Sequence, residues 1–272
     1  MANQIKRIFI VSVSVLVFLY DRISDLTRWL QKKRYLKCVI LYYHGVGPEQ
    51  KKRFARQMND LVRWAKPIAI DQIRSQKSEG NYCAVTFDDG LNSVKENALP
   101  AMKYHKIPAA LFVPSACLGQ LPPWLDQNER DTDVVMTSKQ LKNLDRAAVL
   151  VGSHGRYHSN LLKISTEEAA KEICQSKKEL ENILGVPITS ISFPHGAFNQ
   201  RHLDMAIEAG YKQAYSIMPE LIEVSSNQFL IGRVIVDPSD WRIEFLLKLV
   251  GAYRWLPLAF GIKRRIYSCF TK

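Results

Sequence analysis

The stretch CAVTFDDGLN, residues 83–92, decides how the chain is read. Cys83 to Phe87 form a mostly apolar run with Thr86 within it, which then gives way to two adjacent carboxylates, Asp88 and Asp89, and to Gly90. A short apolar run closed by turn residues is the pattern of a strand buried on both faces, as in a parallel sheet. Neighbouring aspartates repel, and one alone is enough to cap a turn. Two at the C-terminal lip of a buried strand therefore call for a chemical reason.

The same pattern recurs along the chain. Residues 38–47 (CVILYYHGVG), 109–114, 149–154, 188–194, 213–217 and 229–236 all read as strands, with a shorter one at 67–70. Between them, 53–65, 93–105, 137–147, 165–184 and 199–209 carry helical periodicity. Ser165 and Glu168 make a capping box and Gly185 ends that helix, while Pro100 interrupts the 93–105 helix. Strands alternating with helices predict an α/β fold of parallel strands and crossover helices. Counting 229–236 as one strand gives about seven main strands, more than a small doubly wound domain needs and slightly few for a full eight-stranded barrel. The polar stretch 118–135 reads as a substrate-side insertion.

The chain has 272 residues and a net charge of +12. Residues 1–37 carry +6 and residues 238–272 carry +5, so the body between them, 38–237, is nearly neutral. These limits divide the chain into a basic, apolar N-terminal segment, a nearly neutral body and a basic amphipathic C-terminal extension. The charge lies at the ends rather than around a site, which argues against nucleic acid and for an anionic membrane surface. The apolar segment 8–20 is short for a spanning helix and is followed by no A-x-A-like cleavage site. More Lys and Arg follow it than precede it. If it inserts, the body faces the cytoplasm, an external body on an uncleaved anchor being the alternative. Residues 240–270 read either as a helix packed on the body or as an interfacial one. Five scattered cysteines give no disulfide framework.

Three polar clusters fall at C-terminal strand ends: His44, the Asp88–Asp89 pair, and His154. In parallel α/β folds those ends form the active-site face. His154 and His158 are four apart, a spacing that on a helical turn lets both imidazoles reach one ion. A catalytic zinc takes three protein ligands and leaves one position open, and one aspartate can supply the third. The other stays free to take a proton from water, whose pKa a metal lowers from about 15.7 towards 7. Gly90 then allows a sharp turn where a side chain would crowd the ion.

TFDDG together with SHGRYHSNL, and in support VILYYHGVG, ISFPHGAFN and EAGYKQAYSI, resembles the polysaccharide deacetylases, the NodB-homology domain of carbohydrate esterase family 4. The resemblance spans residues 38–236. It implies a distorted, incomplete (β/α) barrel and metal-dependent hydrolysis, with zinc the expected ion, of N-acetyl groups on amino sugars in a surface polysaccharide or a lipid-linked glycan precursor. It implies that Asp88 is the general base and that Asp89, His154 and His158 bind the metal. Two features depart from the family pattern. No arginine precedes Pro194, and no histidine follows His202 to serve as general acid. The branch that deacetylates poly-N-acetylglucosamine carries its acid on the first strand in a Tyr-His motif. That makes His44 the expected acid, with His195 second. Pro194, His195, Gly196 and Arg233 are candidate pocket residues, Arg233 either as a charge partner near the site or as a surface residue. The alternatives are a non-catalytic glycan-binding or scaffold protein on a degenerate fold, and an O-deacetylase.

Overall fold

A computed structural model of the chain describes residues 2–30, 36–124, 133–223 and 228–259. The strands are β1 (Leu36–Tyr43), β2 (Lys66–Pro67), β3 (Gly80–Phe87), β4 (Ala109–Val113), β5 (Val149–Ser153), β6 (Ser190–Ser192), β7 (Gln213–Tyr215), β8 (Ile222–Glu223), β9 (Leu230–Ile231) and β10 (Val234–Ile235). The α-helices are α1 (Ala2–Leu30), α2 (Lys51–Trp64), α3 (Leu99–Tyr104), α4 (Ser138–Lys142), α5 (Thr166–Leu184), α6 (Gln200–Glu208) and α7 (Arg242–Leu249).

The sheet runs β10-β1-β3-β4-β5-β6-β7-β9, with every pairing along this path parallel. It is a twisted α/β sheet of the incomplete-barrel kind. Eight strands lie on the path where the sequence suggested seven, because 229–236 is not one strand. It breaks at Gly232 and Arg233. The first half pairs with β7 and the second with β1, at opposite edges of the sheet. Any side chain at residue 232 would lie 2.2 Å from the Met218 carbonyl, so the break requires glycine.

Helix α2 shows why the faces pack as they do. Phe54, Met58 and Leu61 recur at helical spacing and are buried. Phe54 meets Tyr43 and Phe87 with ring centroids 5.2 and 6.0 Å away. Truncating such a residue costs about 3–5 kcal/mol, so Phe54→Ala would loosen α2 from β1 and β3.

Several expected helices are shorter than their periodicity suggested. Residues 93–105 form a wide π turn, Val94–Ala98, before α3, because Pro100 has no N–H to continue a regular ladder. The helix expected over 137–147 stops at Lys142, and the backbone then turns towards β5. The α5 capping box forms, and Gly185 closes that helix at φ 67°.

Near the two ends of the described residues, α1 packs on α7 and α7 on the body. Arg7 of α1 pairs with Glu244 of α7 at 2.7 Å, and Asp21 accepts both arms of Arg254 at 2.7 Å. Phe245, Leu247 and Leu249 of α7 are buried, so this part of the C-terminal segment is a packed helix. No helix among the described residues is long and apolar enough to cross a membrane. Lys32, Lys33, Arg34, residues 125–132 of the expected insertion, and 260–272 with Lys263, Arg264, Arg265 and Cys269 lie outside the described residues. The other four cysteines are free.

Candidate metal and catalytic centre

Strand register assembles the site. Tyr43 is opposite Phe87 in the β1–β3 pairing, and Asp88 N–H donates to the Tyr43 carbonyl at 2.9 Å. The next residues, His44 and Asp88, therefore leave the sheet side by side. Val113 is opposite Ser153, and His154 N–H donates to the Val113 carbonyl at 3.0 Å. That brings His154 to the same rim.

Asp89, His154 and His158 are buried, and one donor atom from each lies within 4.8 Å of the others. The Nε2 atoms of His154 and His158 stand 3.5 and 3.2 Å from Asp89 Oδ1. Asp89 Oδ1 has no hydrogen-bond partner, although it is fully buried. An orphaned carboxylate oxygen facing two imidazoles is costly unless a cation sits among them. An oxygen and two nitrogens suit zinc or another divalent ion. His154 Nδ1 is 2.8 Å from the Ser192 carbonyl, which fixes Nδ1 as the donor and turns the Nε2 lone pair inward. Burial opposes a charge on His154, but the carboxylates of Asp88 and Asp89 raise its pKa above the ordinary value. The same field favours a metal cation at that spot. Burial pushes His158 down to about 4 and keeps it neutral.

The two histidines lie on a loop, not on the helical turn their spacing suggested. Gly155 and His158 both have positive φ, 74° and 61°. Helix α5 holds this loop. Glu172 accepts from the Arg156 N–H at 2.8 Å and from the Tyr157 N–H at 3.0 Å. Ser176 donates to the Gly155 carbonyl at 2.7 Å, and Glu179 accepts from Arg156 Nε at 2.7 Å. Residues 172, 176 and 179 share one helix face, polar where a core face is expected to be apolar. The turn at Gly90 has φ 62°, as expected, but what crowds it is Val113, 2.9 Å from where a Cβ would be.

Asp88 lies 3% exposed beside this triad. Arg233, fully buried, clamps it: Nη1 donates to Oδ1 at 2.8 Å and Nη2 to Oδ2 at 2.7 Å. Arg233 also donates to Thr86 Oγ1, Ser192 Oγ and the Ser216 carbonyl. Tyr42 and Phe112 lie against its guanidinium at 4.7 and 5.2 Å. The surface reading of Arg233 is therefore wrong. A guanidinium so desolvated needs its carboxylate, and it puts an arginine beside Asp88 although none directly precedes Pro194. Burial alone would push the Asp88 carboxyl up, but Arg233 first, then His154 and His44, bring it below its ordinary value of 3.8.

His44 is exposed at the rim, edge-on to Tyr42 at 5.7 Å. His195, also exposed, has φ 58° and packs its ring against His158 at 4.5 Å. Pro194 is buried, and Gly196, at φ 62°, has Ile217 where a side chain would go. Trp124 was not anticipated. Its ring stacks on His158 at 4.1 Å, and its Nε1–H donates to Asp89 Oδ2 at 3.3 Å. The only sequence hint was a tryptophan in a polar, proline-containing loop.

Comparison with known proteins fits this geometry. The sequence pattern of the polysaccharide deacetylase family matches residues 75–214, just over half of the chain. The chain belongs to the polysaccharide deacetylase family, hydrolases acting on amide bonds. It is 25% identical over 210 residues to a poly-beta-1,6-N-acetyl-D-glucosamine N-deacetylase of Staphylococcus aureus, covering 71% of this chain and 69% of that one. Among solved structures, IcaB from Ammonifex degensii superposes with a TM-score of 0.66 at 21% identity, over 78% of this chain and 97% of IcaB. The Streptococcus pyogenes deacetylase PplD, solved with acetate, gives 0.65 at 19%, over 79% and 99%. These two structures share the fold.

Proposed function

We propose that the chain is a divalent-metal-dependent N-deacetylase that removes acetyl groups from N-acetylated amino sugars of a surface polysaccharide or its lipid-linked precursor. The observation that carries the reading is the pairing of an orphaned Asp-His-His donor set with a second carboxylate, Asp88, kept ionised by Arg233. Asp89, His154 and His158 would hold the ion, with zinc the expected one. When bound, the ion acts as a Lewis acid that polarises the acetyl carbonyl and makes water more acidic. Asp88 accepts the proton of the attacking water. Its Oδ2 accepts from Arg233 and, at 3.4 Å, from Ser192 Oγ, whereas Oδ1 accepts from Arg233 and keeps a second lone pair for that role. His44, its neighbour in register, donates a proton to the departing amine. The C–N bond breaks, and the products are acetate and the free amino sugar. The substrate class is supported by the named S. aureus relative.

The test is acetate release from β-1,6-linked N-acetylglucosamine oligomers, read with bound zinc. Asp88→Asn should abolish release and keep the metal, whereas His154→Ala should lose both. Wild-type release from both variants would overturn the assignment. Release from O-acetylated but not N-acetylated oligomers would change the bond attacked.

A further inference from the structure

Helix α1 has two opposed faces. One is fastened to the body at intervals of seven: Arg7 to Glu244, Ser14 to Trp255 at 3.0 Å, and Asp21 to Arg254. The opposite face is apolar and bare. Ile5, Phe9, Leu16, Leu19, Ile23 and Leu26 follow one another at three-, four- and seven-residue steps, and each is at least half exposed, Leu16 and Ile23 at 66%. On a helix of 100° per residue they fill an arc centred roughly opposite the fastened residues. The stripe is about 30 Å long at ~1.5 Å per residue. A soluble surface rarely leaves so long an apolar row uncovered.

We infer that this stripe is an in-plane membrane-docking face that seats the protein on an anionic phospholipid surface without crossing it. Charge selects the occupant. Lys6 and Arg22 are exposed along the two edges of the stripe. A second copy laid on the stripe would bring cation against cation, whereas an anionic surface meets both the apolar row and its borders. The helix also sets orientation. Its N-terminal end lies beside Asp240, just past the C-terminal end of β10 where the site opens. Its C-terminal end lies by Lys37 at the start of β1, through Asp25 at 2.6 Å. The helix thus runs along the strands, so a protein seated on it opens its site sideways, along the bilayer. This reading is independent of the catalytic one, since its test needs no substrate.

The test is flotation of the full chain with vesicles of phosphatidylcholine alone or with phosphatidylglycerol. The wild type should bind the anionic vesicles more tightly, and salt should weaken the binding. The triple variant Phe9→Gln, Leu16→Gln, Ile23→Gln replaces side chains that are each more than 60% exposed. It should bind at least ~10-fold more weakly, since burying each apolar side chain adds to the affinity. Its thermal unfolding should match the wild type, which separates loss of docking from loss of fold. Equal binding by wild type and variant would overturn the proposal. So would equal binding of the wild type to neutral and anionic vesicles, or a wild-type dimer that the variant abolishes while neither form binds vesicles.

Discussion

Arg233 and Asp88 are joined by two parallel hydrogen bonds across 145 residues of chain, with both partners buried. Such a pair is unforgiving, because removing one partner leaves a charge in the interior. Arg233→Met should cost about 3–5 kcal/mol of folding stability and eliminate activity. Arg233→Lys keeps the charge but not the fork. It should stay folded, as read by thermal unfolding, yet lower kcat with little change in KM, because Asp88 is no longer held at its angle. Wild-type kcat in the lysine variant would reduce Arg233 to a packing residue.

His44 is the expected proton donor. His44→Gln should slow deacetylation by roughly 10²–10⁴-fold, the usual size of a general-acid contribution, with the zinc content unchanged. His195→Ala should act mainly on KM, since His195 lines the rim against His158. The opposite pattern of kcat losses would transfer the acid to His195.

Glu172 is not one of the candidate metal donors, but it gathers two successive amides of the loop between His154 and His158. Glu172→Gln turns one acceptor into an NH2 that faces an N–H. Zinc affinity, measured against a competing chelator, should fall by about 10–100-fold, as outer-shell changes commonly do. Lowered stability with unchanged zinc affinity would make its role purely structural.

Far from the site, Asp60 accepts both Nε and Nη2 of Arg242 at 2.8 Å. That contact holds the Asp60 carboxyl below its ordinary value of 3.8. A depressed carboxylate pKa stabilises the fold above the unfolded value, and the effect is lost as pH falls through the folded one. Arg242→Ala should therefore melt below the wild type at neutral pH, by a small margin because Arg242 is largely exposed. The gap should close as pH drops from 3.8 downward. A gap independent of pH would assign the effect to packing.

Much of this was legible in the sequence. The strand ends at His44, Asp88 and His154 can be read from apolar runs that stop at polar residues, and parallel register does the rest. The α5 capping box and its closing glycine were equally plain. What escaped reading depended on partners distant in sequence. Arg233 looked no different from a surface arginine, because its burial follows from the break at Gly232 and from Thr86, Ser192 and Ser216 converging on it. Glu172 lies in a helix rich in charge, where a glutamate normally faces water. Trp124 gains its place only through the ring of His158. The His154–His158 spacing pointed to the right pair through a helical geometry the loop does not have.

The break at Gly232 also bears on the order of assembly. The sheet from β1 to β7 is complete in sequence before Arg233 is reached, so a growing chain can form most of its ladder with Asp88 still lacking its counter-charge. A chain that lacked Arg233 would keep Asp88 hydrated, because burying it alone is prohibitive. Water can leave the centre only when the last segment threads between the two sheet edges and brings in the guanidinium. The rim that would hold the metal is therefore sealed late, and a chain truncated before Arg233 should form a sheet but leave its centre wet and inactive.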